Sequence, residues 1–184
     1  MVKWDDDADW IQKSLQGDTE AFAELVKRYQ VMVHSLTFRM TGSMADAEDL
    51  AQDAFVQAYR RLGGFRGEAK FSSWLYRLTM NTCLNWQKRN QLRSRVYDEW
   101  AREQEIKSAK RESFHLDALS QQVQEALLKL HPKQRAAVVL TIYDGLSHGE
   151  AARVLGCSET TVSWRVFAAR AKLKRWLKDL KPND

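Results

Sequence analysis

Trp74, Arg77, Asn81, Asn85 and Lys88 follow one another at intervals of three or four residues, which puts them on one face of a helix. An indole ring stacks on an exposed base, carboxamides read base edges, and cations neutralise phosphate, so this face has the chemistry of a nucleic-acid surface. The plainer alternative is a solvated polar face with Trp74 tucked against a neighbour. A second constellation lies near the C-terminus. Ser147-His148-Gly149-Glu150 has the form of a capping box, in which a hydroxyl and a carboxylate satisfy free backbone N–H groups reciprocally. Ala152, Gly156 and Val162 then have the spacing of a helix-turn-helix. The small residue lets two helices cross closely, the glycine takes the left-handed turn, and the valine buries the second helix against the first. That second helix would bring Glu159, Thr160, Ser163, Trp164 and Arg165 to base edges in a major groove. Arg170, Lys172, Lys174, Arg175, Lys178 and Lys181 follow as phosphate-binding charge.

A third group, Asp49, Gln52, Asp53 and Val56, shares the polar face of another helix. Its carboxylates sit at i, i+4, but oxygen-only clusters on a single helix usually face solvent rather than hold a metal. His34, His115, His131 and His148 show no ligand spacing. Cys83 and Cys157 lie far apart with no C-x-x-C, which excludes a disulfide framework and a cysteine-based zinc site. With neither a metal cluster nor an activated nucleophile, the chain is not expected to be an enzyme, and no cofactor or metal is expected.

The elements that must carry these groups are helical. There are 8 glycines and only 2 prolines, Pro132 and Pro182, and few β-branched runs, so the sequence predicts an all-α chain. Asp18 is placed to cap a first helix bearing Phe22, Leu25, Val26, Tyr29, Val33, Leu36 and Met40 at helical spacing. Gly42 ends it and Ser43 caps the next, whose stripe is Ala47, Leu50, Ala51, Ala54, Phe55, Ala58 and Leu62. Gly63 and Gly64 stop that helix. A loop, Phe65 to Lys70, leads to a third helix predicted from about Ser72 to Arg89, with Leu75, Leu78, Thr82 and Trp86 inward. The stretch from Ser94 to Asp117 is charged and poor in large apolar residues, reading as a linker or an exposed helix. Val123, Ala126, Leu127 and Leu130 restore periodicity, His131-Pro132 breaks the chain, and a helix is predicted from about Lys133 to Tyr143. The helix after Ser158 is predicted to run to about Leu180.

The chain has 184 residues, 44% of them hydrophobic, which is enough for one ordinary domain or two small ones. No apolar run approaches the ~18 residues of a membrane span. The N-terminal Trp4-Asp5-Asp6-Asp7 lacks the basic-then-apolar pattern of a signal peptide. A cytoplasmic protein without membrane insertion is expected.

Two stretches together resemble the bacterial sigma-70 family, in its small extracytoplasmic-function group. One is DAEDLAQDAFVQAYRRLGGFRGEAKFSSWLYRLTMNTCLNWQKR, Asp46 to Arg89, which is similar to region 2 and carries its F-R-G-x-x-x-F-x-x-W-L-Y-R core. The other is LHPKQRAAVVLTIYDGLSHGEAARVLGCSETTVSWRVFAARAKL, Leu130 to Leu173, which is similar to region 4. The resemblance implies two small helical domains: residues 1–93 for core polymerase and the −10 element, a charged linker at 94–119, and a helix-turn-helix domain at 120–184 for the −35 element. It implies a factor that binds core RNA polymerase, directs it to promoters and helps open the DNA, under an anti-sigma factor.

By the same resemblance, Ser158, Glu159, Thr160, Thr161, Ser163, Trp164, Arg165 and Arg170 form the −35 surface. Phe65, Arg66, Lys70, Trp74, Arg77, Asn81, Asn85, Lys88 and Arg89 form the −10 surface, which captures the separated non-template strand with a base held out of the stack. Asp46, Asp49, Gln52, Asp53 and Val56 dock on the coiled coil of the polymerase's largest subunit. The chain departs from the family at three places. Many members have a basic residue where it has Ser163, a small one where it has Trp164, and a basic one where it has Ala168. Trp164 is thereby available for thymine methyls, for sugar or for a protein contact. A free-standing operator-binding regulator is the competing class, and it predicts tight specific binding without polymerase.

The net charge of +5 divides unevenly along the chain. Residues 1–62 hold 7 Lys+Arg against 11 Asp+Glu, a net −4, and residues 63–95 hold 7 against 1, a net +6. Residues 96–119 hold 4 against 6, a net −2, and residues 120–184 hold 11 against 6, a net +5. Each basic segment coincides with one expected DNA surface.

Overall fold

The structure, a computed structural model, describes residues 5–101 and 118–178. Among these residues the regular elements are all helical, as expected. They are α1 (Asp5–Leu15), α2 (Thr19–Thr41), α3 (Met44–Arg61), a 3-10 turn at Leu62–Gly64, α4 (Phe71–Ala101), α5 (Ala118–Lys129), α6 (Pro132–Val138) running into a π-helical turn at Val139–Tyr143, α7 (His148–Leu155) and α8 (Glu159–Trp176).

The punctuation read from the sequence is in place. Asp18 accepts from the N–H groups of Glu20 and Ala21 at 2.9 and 3.1 Å. Gly42 closes α2 at φ 73°, where a Cβ would also overlap the Leu128 side chain. Ser43 caps α3 and Ser158 caps α8.

Four boundaries differ from the sequence reading. The first helix was expected after Gly17, yet α1 precedes it. Few apolar residues mark α1, and beside Ile11, which enters the core, its anchor is polar. The Tyr29 hydroxyl donates to Asp7 Oδ2 at 2.5 Å, Arg28 Nη1 lies 3.2 Å from Asp7 Oδ1, and the Arg28 guanidinium sits 5.4 Å over the Trp10 ring. Burial, and then the Asp7 carboxylate, push the Tyr29 hydroxyl well above its ordinary range. Secondly, α4 continues past Arg89 to Ala101, because no glycine or proline stands between to stop it. Thirdly, the helix expected from Lys133 to Tyr143 widens after Val138, and Asp144 N–H reaches back to Val139 O at 3.1 Å. Lastly, α8 ends at Trp176 rather than near Leu180. Leu180, Lys181 and residues 102–117, the bulk of the expected linker, lie outside the described residues.

Two large apolar cores organise the described residues, with a smaller cluster of Leu127, Leu130, Val138 and Ala169 where α5, α6 and α8 meet. Ile11, Phe22, Leu25, Tyr29, Val33, Ala54, Leu62, Phe71 and Leu75 join α1–α4. The other core runs across both helical units. Leu36, Met40, Met80 and Cys83 meet Ala136, Val139, Leu140, Ala151, Val154, Val162 and Val166. Burial pushes the Cys83 thiol up to about 12, so it behaves as a small apolar side chain. Polar groups reinforce this junction by satisfying the free carbonyls at the end of α2. Gln124 Nε2 donates to Phe38 O at 3.1 Å, Gln87 Nε2 to Met40 O at 2.7 Å, and Arg135 Nη1 to Met40 O at 2.5 Å.

Asp144 sits at the same junction. Tyr76 of α4 and Arg39 of α2 face it, and the Arg39 guanidinium lies 4.6 Å over the Tyr143 ring. Burial pushes its carboxyl up to about 6, against the opposing pull of Arg39. An acid whose folded pKa is raised contributes stability that is full below its unfolded pKa and is lost as pH rises through the folded value. Stability is therefore expected to fall by roughly 1–2 kcal/mol, after solvent screening, between pH ~4 and ~6. Asp144→Asn should flatten that slope in urea titrations across this window, and an unchanged slope would refute the assignment.

Candidate nucleic-acid interface

The loop from Phe65 to Lys70 enters α4 through an aromatic cluster. Phe65 lies 5.7 Å from Phe71 edge-on and 5.5 Å from Trp74, and Phe71 lies 5.5 Å from Trp74. Phe71 is buried, whereas Phe65 and Trp74 are half-buried. The Trp74 ring packs on neighbours, as the plainer reading had it, and also lines a pocket. That pocket, of about 460 Å³, is bounded by Trp74, Arg77, Asn81 and Asn85 on the α4 side, which the sequence grouped. Its remaining wall includes Gly64, from the loop expected to form it, Thr82, read as facing the core, and Gln57 and Arg61, which the sequence reading missed. Gln57 Nε2 donates to Thr82 Oγ1 at 3.3 Å, tying α3 to α4 across the pocket floor. The signal for Gln57 was its place near the end of α3, just before the loop.

Arg77, Asn81, Asn85 and Lys88 form an exposed ridge along α4. Eleven residues at 1.5 Å rise make it about 16 Å long. Arg89 is exposed and donates from Nε to Asn85 O at 3.5 Å. Arg66 is exposed, 4.0 Å from Glu68. Lys70 is exposed too, and its charge helps hold down the Glu150 carboxyl. A second pocket, of about 600 Å³, lies between this loop and α7, where Glu150, Arg153 and Val154 close it.

At the other end the helix-turn-helix forms as read. The Ser147 N–H donates to Glu150 Oε2 at 2.9 Å and the Glu150 N–H to Ser147 Oγ at 3.2 Å. The Ser147 hydroxyl, which donates to Glu150 Oε2 at 2.7 Å, and then the Ser147 N–H hold the Glu150 carboxyl below its ordinary range. Gly156 turns at φ 61°, and Val162 is fully buried. Of the expected −35 residues, several polar ones are engaged within the protein. Ser158 Oγ accepts from the Thr161 N–H at 3.2 Å and lies 2.8 Å from Thr161 Oγ1. Ser163 Oγ lies 2.8 Å from His148 Nδ1, and Arg165 Nη1 reaches Cys157 Sγ at 3.5 Å. Glu159, Thr160, Trp164 and Arg170 are exposed, and so is Phe167, which the sequence reading passed over although it stands three residues after Trp164.

On α3, Asp49, Gln52, Asp53 and Val56 are exposed on one face, and Asp46 is half-buried at its start. Among the described residues no group of three or more His, Cys, Asp or Glu side chains is placed to hold a metal ion. No helix among them is long and apolar enough to cross a membrane.

Comparison with known proteins follows the same division. Residues 25–94 match Sigma-70 region 2 and residues 120–173 match Sigma-70, region 4. The chain is 32% identical to the RNA polymerase sigma-H factor of Pseudomonas aeruginosa, covering 98% of each. It is 36% identical to the ECF RNA polymerase sigma factor SigM of Mycobacterium tuberculosis, over 93% of this chain and 84% of that one. It is 36% identical to the ECF RNA polymerase sigma-E factor of Escherichia coli, over 87% and 88%. Among solved structures, CnrH in complex with the cytosolic domain of CnrY superimposes with a TM-score of 0.69 at 28% identity, over 96% of this chain and 99% of that one. The sigma factor RpoE of Bartonella quintana, in complex with the anti-sigma factor NepR, superimposes with a TM-score of 0.67 at 25% identity, over 87% and 98%. With the capped helix-turn-helix at one end, the basic ridge at the other and relatives matched over nearly their full length, the chain belongs to the sigma-70 family, as an extracytoplasmic-function RNA polymerase sigma factor.

Proposed function

We propose that this sigma factor joins core RNA polymerase, reads the −35 element as duplex through α8, and captures the −10 element as single strand in the pocket under the α4 ridge. The observation that carries this reading is that pocket. It gathers Trp74, Arg77, Asn81 and Asn85 beside the loop, within a segment of net charge +6 (residues 63–95). A base leaving the stack costs on the order of a few kcal/mol, and a pocket offering a ring, amides and cations offsets it. Phe65, Arg66, Lys70, Lys88 and Arg89 would guide the strand, and the face of Asp46, Asp49, Gln52, Asp53 and Val56 would meet the polymerase. The division into residues 1–93, a joining segment at 94–119, and residues 120–184 follows from the same reading. The relative solved with the anti-sigma factor NepR supports an anti-sigma partner here as well. The proposed role is that of an initiation factor in the cytoplasm, with RNA synthesis left to the polymerase.

Run-off transcription with the reconstituted holoenzyme tests this. A promoter-dependent transcript is expected only when the protein is present. Tight specific DNA binding by the protein alone, with no association with core enzyme, would favour the free-standing regulator instead. Asn81→Ala is expected to reduce open-complex formation about tenfold, the scale of one lost base contact. Permanganate footprinting reads that change, and pre-melted templates should restore most of the loss.

A further inference from the structure

Trp164 and Phe167 leave 67% and 74% of their surface exposed. They stand three residues apart on α8, so they adjoin on one outward face, with Thr160 before them and Lys174 after. A large apolar pair held in water marks a binding surface rather than a core. Four of the polar side chains at the start of α8 are committed within the protein. Ser163 is engaged by His148, Arg165 by Cys157, and Ser158 and Thr161 by each other. The same helix is strongly basic towards its end, with Arg170, Lys174 and Arg175 exposed. That charge favours a phosphate-lined occupant for this face.

We infer that Trp164, with Phe167 beside it, is the −35 specificity determinant of this protein and reads the C5-methyl groups of thymine in the major groove. Thymine is the base that presents an apolar group there, and apolar side chains are its natural contact. The cations on the flank hold the helix in register on the backbone while the aromatic pair distinguishes thymine from the other bases. The inference rests on the reading that α8 enters the −35 major groove.

The test uses holoenzyme reconstituted from core polymerase and the full chain. Duplexes with a fixed −10 element and a randomised −35 region are selected by binding. The wild-type protein is expected to enrich thymine at one or more −35 positions, and Trp164→Ser to lose that enrichment while keeping a normal melting temperature. Replacing those thymines by deoxyuridine in the winning duplex removes only the methyl groups. That change should weaken wild-type binding about five- to tenfold and leave the Trp164→Ser protein within about twofold. Absence of thymine enrichment, or equal sensitivity to deoxyuridine in both proteins, overturns the inference. A scrambled −35 duplex separates the two levels. If scrambling weakens binding but deoxyuridine does not, only the methyl readout falls. If scrambling has no effect, the placement of α8 at the −35 element falls with it.

Discussion

Arg135→Ala is expected to lower the free energy of unfolding by about 3–5 kcal/mol, a large share of the stability of a protein this size. The guanidinium is only 7% exposed and donates to four carbonyls. Arg135 Nε reaches Leu127 O at 2.9 Å, Nη2 reaches Leu128 O at 2.5 Å and Leu130 O at 3.3 Å, and Nη1 reaches Met40 O at 2.5 Å. The first three acceptors lie at the end of α5 and the fourth at the end of α2. Both helix termini carry partial negative charge, so a cation between them is compensated from two directions. A hydrogen bond to a charged group contributes about 1.5–3 kcal/mol. The cost of keeping the guanidinium out of water offsets part of the sum, which gives the net figure. Urea denaturation measures it. Arg135→Lys should recover less than half of the loss, because an ammonium cannot reproduce the planar fork that serves both helices. A loss under about 1 kcal/mol for Arg135→Ala would show that α2 and α5 do not depend on this side chain.

Reversing two charges on α3, Asp49→Arg with Asp53→Arg, is expected to weaken association with core polymerase at least ~100-fold. Both side chains are exposed, so the substitutions leave the cores untouched and helical content should not change. On the proposed docking, attraction at each position becomes repulsion. About 1.4 kcal/mol per position already gives tenfold each. Fluorescence anisotropy of labelled protein against core enzyme reads the loss. Reversing Asp9 and Glu20 instead, which makes the same change in net charge away from α3, is the control. If the two pairs weaken binding equally, the effect is one of overall charge and the α3 face is not the docking surface.

Much of this was legible because caps and turns are local chemistry. Asp18, Gly42, Ser43, Ser147, Gly156 and Ser158 each act within four residues of chain, and each lies where its side chain or its freedom at positive φ is needed. The α4 ridge was legible for the same reason, as the consequence of one helix's periodicity. What escaped depends on distant partners. Helix α1 is fixed by a carboxylate that meets Arg28 and Tyr29 more than twenty residues later. The apolar run Ala136 to Tyr143 carries no mark of where its turns widen. Gln57 and Arg61 join the α4 pocket only because α3 packs beside α4. Arg135 reads as one more surface cation until both helix ends it serves are brought to it.

On the proposed reading, the core shared by α2, α4 and α6–α8 is expected to limit promoter affinity. In the closed arrangement, α7 and the loop before α4 border a single pocket. On that reading, a −35 duplex on α8 and a −10 single strand at the α4 ridge, held a helical turn of about 34 Å or more apart, require this junction to part. Binding is then conformational selection, and the measured dissociation constant is the intrinsic one divided by the open fraction. Each 1.4 kcal/mol that favours the closed pair weakens apparent promoter binding tenfold. Gln124, which bonds across this junction and lies outside the proposed DNA surfaces, is therefore expected to tune promoter strength by setting how rarely the molecule opens.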